Sequence, residues 1–78
     1  MYYVYCIQNL GRNKFYYGYT ADLVRRMKEH KQEDKKCELI YYEAYRSEID
    51  ARNRERKLKD YGQSRTHLKK RLINSIIK

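Results

Sequence analysis

The chain has 78 residues, which allows one domain with a modest hydrophobic core. It has 19 lysine and arginine residues against 10 acidic ones, and the two cysteines are too few for a disulfide framework or a complete metal site. No apolar run is long enough to cross a membrane and no signal peptide is recognisable, so we expect a single cytoplasmic domain over residues 1–78.

The net charge of +9 is large for a chain of this size. It predicts binding to a polyanion, above all nucleic acid, with an affinity that falls as salt rises. The alternative is a solvated surface that only keeps the protein soluble. The size of the excess of positive charge favours binding to a polyanion.

The first two predicted elements are strands of a β-hairpin. A tyrosine-rich alternating pattern begins at position 3, is interrupted at Leu10-Gly11-Arg12-Asn13, and resumes at residues 14–19. A two-residue loop would place Tyr5 opposite Tyr16, and a four-residue loop would place Tyr5 opposite Gly18 with Tyr16 on the near diagonal. Both loops put the two phenols on one face, whereas a three-residue loop with a bulge would separate them.

A basic amphipathic helix is predicted to follow the hairpin. Leu23, Met27 and His30 form one stripe at helical spacing, and Arg26 lies at its edge one turn before His30. The guanidinium could lean over the sheet edge where Gly18 leaves room for close approach. Two tyrosines, an arginine and a histidine are therefore expected to converge.

The rest of the chain predicts a third strand and two more helices. Residues 31–38 are polar and unpatterned and are interpreted as a loop, and residues 39–45 (LIYYEAY) are typical of a strand. Ser47 with Asp50 three residues later predicts the start of the second helix, which we expect to end at Tyr61-Gly62 with the glycine in a left-handed cap.

Ser64 is then expected to cap a last helix. Its predicted apolar stripe consists of Leu68, Leu72, Ile73, Ile76 and Ile77. The fold class is accordingly α/β of the α+β type: a small three-stranded antiparallel sheet flanked by helices, in the order β-β-α-β-α-α.

Glu55 is the most informative residue of the second helix. It lies between Ala51 and Leu58 on an otherwise apolar stripe, where an unpaired charge is costly to bury. Its partner could be a metal ion or an arginine. A structural ion pair with Arg26, or a helix-edge glutamate that reaches solvent, remains the alternative.

These residues resemble the GIY-YIG nuclease family over nearly the whole chain. The first family tripeptide corresponds to Tyr3-Val4-Tyr5 and the second to Tyr16-Tyr17-Gly18, followed by Arg26 ten residues after Tyr16. His30 falls where the family has a histidine or tyrosine, and Glu55 matches its single metal-binding glutamate. The chain looks closest to small stand-alone bacterial members, which are related to the N-terminal nuclease domain of the excision-repair incision subunit.

The resemblance implies a Mg²⁺-dependent or Mn²⁺-dependent DNA endonuclease that holds one ion, with a role in DNA repair or recombination. It implies Tyr16 as the general base that activates water, with Tyr5 hydrogen-bonded beside it, and Glu55 as the metal ligand. Arg26 can bridge phosphate oxygens bidentately. Because an ordinary phenol has a pKa of about 10, His30 could receive or relay the proton instead. The expected catalytic set is Tyr5, Tyr16, Arg26, His30 and Glu55.

A non-catalytic nucleic-acid-binding module on the same fold is the second function hypothesis, and a small interaction protein is a third. The residues expected to hold nucleic acid are Lys14, Arg25, Arg52, Arg56, Lys59, Lys69 and Lys70. Simple phosphate binding requires neither the carboxylate nor the paired phenols, which favours the nuclease. The oligomeric state is left open.

Overall fold

The computed structural model of the chain describes residues 1–77. The elements are β1 (Tyr2–Asn9), β2 (Lys14–Thr20), α1 (Leu23–Glu33), β3 (Cys37–Tyr45), α2 (Glu48–Asp60) and α3 (Gly62–Arg71). The strands form one antiparallel sheet in the order β2-β1-β3. The predicted α+β fold and its element order are therefore confirmed. Within residues 1–77, no helix is long and apolar enough to span a membrane.

The register of the hairpin decides between the predicted loops. Tyr5 pairs with Gly18 and Asn9 pairs with Lys14, so the loop has the four residues 10–13. Asn13 takes a φ of 53°, a left-handed conformation that asparagine tolerates better than most residues. Tyr5 and Tyr16 consequently project from the same face of the sheet.

Each face of the sheet is covered by different helices. One side carries the main core, in which Val4 packs with Ala51, Leu58, Leu68 and Leu72 from α2, α3 and the turn after α3. On the opposite side, Tyr5, Ile7 and Cys37 pack against Leu23 and Met27 of α1. The central strand β1 is thus buried on both faces, while β2 is an edge strand.

The connection after α1 is shorter than predicted. Residues 31–33 continue the helix, and Asp34 caps its end with a backbone N–H donated to the His30 carbonyl. The strand β3 then begins at Cys37 rather than at residue 39. The loop predicted over residues 31–38 was therefore wrong at both ends, because a polar sequence without glycine or proline neither ends a helix nor prevents strand pairing.

The boundary between α2 and α3 also differs from the prediction. Ser47 does cap α2, since its side chain accepts from the Asp50 backbone N–H at 3.4 Å. Gly62 has no positive φ, however, and begins α3 at once, so the left-handed glycine cap and the cap at Ser64 were both wrong. α3 ends at Arg71 with Leu72 as its cap.

The predicted apolar stripe of the last helix is only partly confirmed. Leu68 and Leu72 are buried, as expected. Ile73 is 63% exposed, and it lies with Ile76 and Ile77 beyond the end of the helix. Helical spacing places residues on one face only within a helix. Beyond the end of α3 the chain turns, so the spacing of these isoleucines no longer predicts which of them are buried.

Candidate active site

A cleft of about 420 Å³ runs along β2, one of the two edge strands. Because the strand has no neighbour on its outer side, side chains from both faces of the sheet line this cleft. The lining includes residues from β1, β2, α1 and α2, among them all of the predicted catalytic residues: Tyr5, Tyr16, Arg26, His30 and Glu55.

Gly18 makes room for the Tyr5 ring. A Cβ atom at position 18 would overlap the Tyr5 hydroxyl and Cζ and would lie 2.9 Å from Cε2. Tyr5 is only 4% exposed, so its ring is held between the backbone of β2 and the residues of α1. The glycine of the second tripeptide therefore fixes the tyrosine of the first.

The Tyr5 hydroxyl is hydrogen-bonded to His30 Nε2 at 2.8 Å. Burial, and then the positive charge of Arg26, lower the pKa of His30, so the ring is neutral at pH 7. The pKa of Arg26 is raised, chiefly by the neighbouring Tyr5 hydroxyl and next by Glu29, whose carboxylate it meets at 3.1 Å. Tyr5 thus lies beside Arg26 and is hydrogen-bonded to His30.

Tyr16 is the most exposed member of the predicted set. Its side chain is 42% accessible, and within residues 1–77 its hydroxyl has no hydrogen-bond partner. The two phenols share a face and a cleft, as the strand parity predicted. The Tyr5 hydroxyl is bonded to His30, however, rather than to Tyr16 as the resemblance implied.

Glu55 projects from α2 into the same cleft, where its side chain is 21% exposed. Lys59, one turn further on, meets one carboxylate oxygen at 3.2 Å. The suggested ion pair between Glu55 and Arg26 is therefore wrong, since Arg26 pairs with Glu29. Among the described residues, Lys59 is the one cation paired with Glu55.

The donor set fits a hard cation that keeps most of its water. In the described part of the chain, no group of three or more histidine, cysteine, aspartate and glutamate side chains could hold a metal. A partly exposed carboxylate in an open cleft matches the way Mg²⁺ is held by one or two carboxylates, waters and substrate phosphate. Glu55 would be the protein ligand of such an ion.

Comparison with family models gives a match to the GIY-YIG catalytic domain over residues 1–74. The chain belongs to the GIY-YIG nuclease family. Neither the curated proteins nor the solved structures gave a significant match. The family indicates a nuclease, and hence a nucleic-acid substrate.

Within this GIY-YIG domain the two tripeptides lie on the paired strands β1 and β2, next to each other. Of the basic residues expected to hold nucleic acid, Lys59 lines the cleft. Arg52 pairs with Glu48 and stacks on Tyr19, and Lys69 lies over the Phe15 ring. The remaining members are exposed away from the cleft lining: Lys14, Arg25, Arg56 and Lys70.

The cleft of the GIY-YIG domain also contains residues that the sequence did not single out. Arg12 of the hairpin loop lines it, as do Asn9 and Asp34. Asn9 is almost fully buried, and its amide nitrogen donates to Asp34 at 2.6 Å. A polar residue at the end of a buried strand was the available signal, because such a side chain needs hydrogen-bond partners.

Proposed function

We propose that this GIY-YIG domain is a DNA endonuclease that depends on one divalent cation, Mg²⁺ or Mn²⁺, and acts in DNA repair or recombination. The observation that carries the proposal is the cleft itself. Four separate elements contribute two phenols, a guanidinium, an imidazole and a carboxylate to one cavity. Phosphate binding alone would require only the positive charges.

Hydrolysis adds water across one phosphodiester bond: the water oxygen bonds to phosphorus, and the ester oxygen leaves and takes up a proton. In the proposed mechanism Arg26 donates to the phosphoryl oxygens, where negative charge accumulates. Its hydrogen bond to Glu29 supports this assignment, because the carboxylate holds the guanidinium in place before substrate binds.

The proton of the attacking water has two routes in this cleft. Tyr16, which is exposed and has no hydrogen-bond partner in residues 1–77, is able to meet a water directly. Tyr5 is connected to a neutral imidazole, so a proton accepted at its oxygen can be matched by transfer of its own proton to His30 Nε2. We assign the positioning of the attacking water to Tyr16 and the acceptance of its proton to the Tyr5 oxygen, whose own proton passes to His30 Nε2.

Glu55 would hold the divalent cation, which when bound supplies Lewis-acid stabilisation of the phosphoryl and leaving oxygens. Lys59 neutralises this carboxylate in the chain alone. With a cation at Glu55, Lys59 would be free to meet the substrate backbone, and the carboxylate would keep a charge partner.

The competing function is nucleic-acid binding without cleavage. The net charge of +9 and the cleft cations support it equally well. The carboxylate and the pair formed by Tyr5 and His30 favour the nuclease, since neither adds to the attraction for phosphate.

The test is cleavage of labelled plain, branched and single-stranded DNA, with and without Mg²⁺ or Mn²⁺. Glu55→Gln and Tyr16→Phe are compared with matched controls outside the cleft, Asp60→Asn on the same helix and Tyr42→Phe on β3. Metal-dependent cleavage that is lost in the first pair and kept in the second supports the proposal. Equal binding of DNA by all five proteins, without cleavage under any condition, would establish the binding module instead.

A further inference from the structure

The hairpin loop places a second arginine at the cleft, apart from Arg26. Arg12 lies in this loop, is exposed, and lines the same cavity as Tyr5 and Glu55. Within residues 1–77 its guanidinium makes no hydrogen bond or ion pair. Four other arginines have carboxylate partners, namely Arg25, Arg26, Arg52 and Arg54.

The loop that carries Arg12 is fixed at both of its ends. The Arg12 backbone N–H donates to the Asn9 side-chain oxygen at 3.0 Å, and the Asn9 side-chain nitrogen donates to Asp34 at 2.6 Å. The Leu10 backbone N–H also donates to the Lys36 carbonyl at 2.9 Å. Because Asn9 is buried, these bonds are shielded from water and hold the loop against the connection between α1 and β3.

A lysine from that connection adds positive charge to the same corner. The side chain of Lys36 crosses Gly11, where a Cβ atom would lie 2.8 Å from its Cδ and 3.5 Å from its ammonium nitrogen. Two carboxylates, Glu33 and Asp34, also line this end of the cleft. Both oxygens of Asp34 are already engaged, by the Asn9 side chain and by the Lys36 backbone N–H, so Asp34 orients the loop.

We propose that Arg12 binds a backbone phosphate of the nucleic acid that is distinct from the phosphate that reacts. Tyr5, next to Arg26, and Asn9, next to the loop, are four residues apart on β1, which corresponds to about 13 Å. Arg12 and Arg26 therefore enter the cleft from different ends of this stretch of β1. A polynucleotide that lies along β2 with its reacting phosphate at Arg26 would place a neighbouring backbone phosphate toward Arg12.

This inference rests on the proposed function, because it assumes that a nucleic acid occupies the cleft. It adds that the hairpin loop sets the minimum length of the substrate. An anion at Arg12 gains a bidentate partner on a loop whose backbone is already held, so little ordering of the loop is needed on binding. Substrates too short to reach the loop lose that contact.

The experiment measures binding of a fluorescent single-stranded oligonucleotide to the Glu55→Gln protein without metal, over a series of salt concentrations. Arg12→Ala is compared in this background with Arg46→Ala, which removes the same charge from an exposed arginine outside the cleft. We expect Arg12→Ala to reduce the slope of log K against log salt by about 0.7, the value for one phosphate contact on a single strand. Arg12→Lys should keep the slope, because lysine retains the point charge.

A second measurement locates the phosphate. Single neutral methylphosphonate linkages are moved along the oligonucleotide, and the position that weakens binding to the parent should have no effect on Arg12→Ala. Equal slopes for Arg12→Ala and Arg46→Ala, or the same methylphosphonate pattern in both, would overturn the inference while leaving the nuclease intact. Absence of binding by every protein would instead reject the proposed function.

Discussion

The contact between Gly18 and Tyr5 is the tightest constraint on a single residue of the cleft. In Gly18→Ala the new methyl group would occupy the space of the Tyr5 ring, so the ring must move away from His30. Overpacking of a buried site costs about 1–3 kcal/mol of the free energy of unfolding. Displacement of a reacting group by about 1 Å lowers activity by about 10²-fold. Urea unfolding and the cleavage rate measure the two effects.

Gly62→Ala is the matched control for this substitution. A Cβ there would be 3.7 Å from the Arg65 guanidinium nitrogen, and the position lies in the first turn of α3. Alanine is favoured over glycine in a helix by up to about 1 kcal/mol, so this variant should be as stable as the parent or more stable. Equal stability and equal cleavage rates of the two alanine variants would mean that the close packing of Tyr5 does not restrict position 18 to glycine.

His30 gives the cleft a pH dependence whose direction follows from its surroundings. Burial and Arg26 lower the pKa of His30 below its usual value near 6.5, while Glu33 and Glu29 oppose them more weakly. Below about pH 6.5 the unfolded chain therefore binds the proton more readily than the folded chain. This contribution to the free energy of unfolding is fully present above that pH, and it is lost as pH falls through the lowered pKa.

The His30 titration can be followed directly by NMR of its ring proton, in a His67→Gln background that leaves a single histidine. We expect a midpoint below about 6.5 that rises in Arg26→Gln, because the neighbouring positive charge is then removed. Cleavage should decline over the same range as the imidazole becomes unable to accept the Tyr5 proton. A midpoint at or above the ordinary value would contradict the assigned burial.

At the scale of the elements, the sequence predicted what depends on periodicity and missed what depends on tertiary contacts. Strand alternation was sufficient to place Tyr5 and Tyr16 on one face, and the cap at Ser47 was correct because it is local. The end of α2 is different, since it is set by Arg65 of the next helix. The residues near the end of a helix do not predict a contact made by a side chain of another helix.

Arg65 replaces the glycine cap that was expected at this point. Its guanidinium donates to the carbonyl oxygens of Leu58 at 2.7 Å and Lys59 at 2.6 Å. These carbonyls belong to the last turn of α2 and would otherwise lack an intrahelical partner. The helix that carries Glu55 and Lys59 is thereby terminated by a side chain rather than by a left-handed residue.

We expect Arg65→Ala to lower the free energy of unfolding by about 1–3 kcal/mol, the usual effect of losing hydrogen bonds from a charged group. Arg56→Ala on the exposed face of α2 is the control and should change it by less than about 0.5 kcal/mol. Chemical denaturation of both variants measures the difference. Equal stability of the two would mean that water satisfies the α2 carbonyls as well as Arg65 does.

At the scale of the whole molecule, the cleft needs nearly every element to be in place. Its lining runs from Tyr5 in the first strand to Lys59 at the end of α2. The sequence contains the charges but not their distances, which is why Arg12 was not predicted as part of the site. Its position became informative only once the four-residue loop and the Asn9 hydrogen bonds were known.

Two long-range hydrogen bonds join β1 to the segment after α3. Gln8 is fully buried, and its amide pairs with both backbone groups of Ile77: the nitrogen donates to the carbonyl at 2.5 Å, and the oxygen accepts from the N–H at 2.8 Å. Ile77→Pro removes that N–H and leaves the Gln8 oxygen without its partner, at an expected cost of about 1–3 kcal/mol. Ile77→Ala keeps the peptide group and should cost less than about 0.5 kcal/mol.

The same proline substitution in a Gln8→Leu background separates the hydrogen bond from the steric effect of proline on residue 76. With leucine at position 8 no buried amide is left unpaired, so the proline should cost clearly less there than in the parent. Thermal or urea unfolding of the four proteins of this cycle gives the coupling. A coupling near zero would mean that Gln8 is satisfied by water, and that the segment after α3 is held to the sheet by its apolar contacts alone.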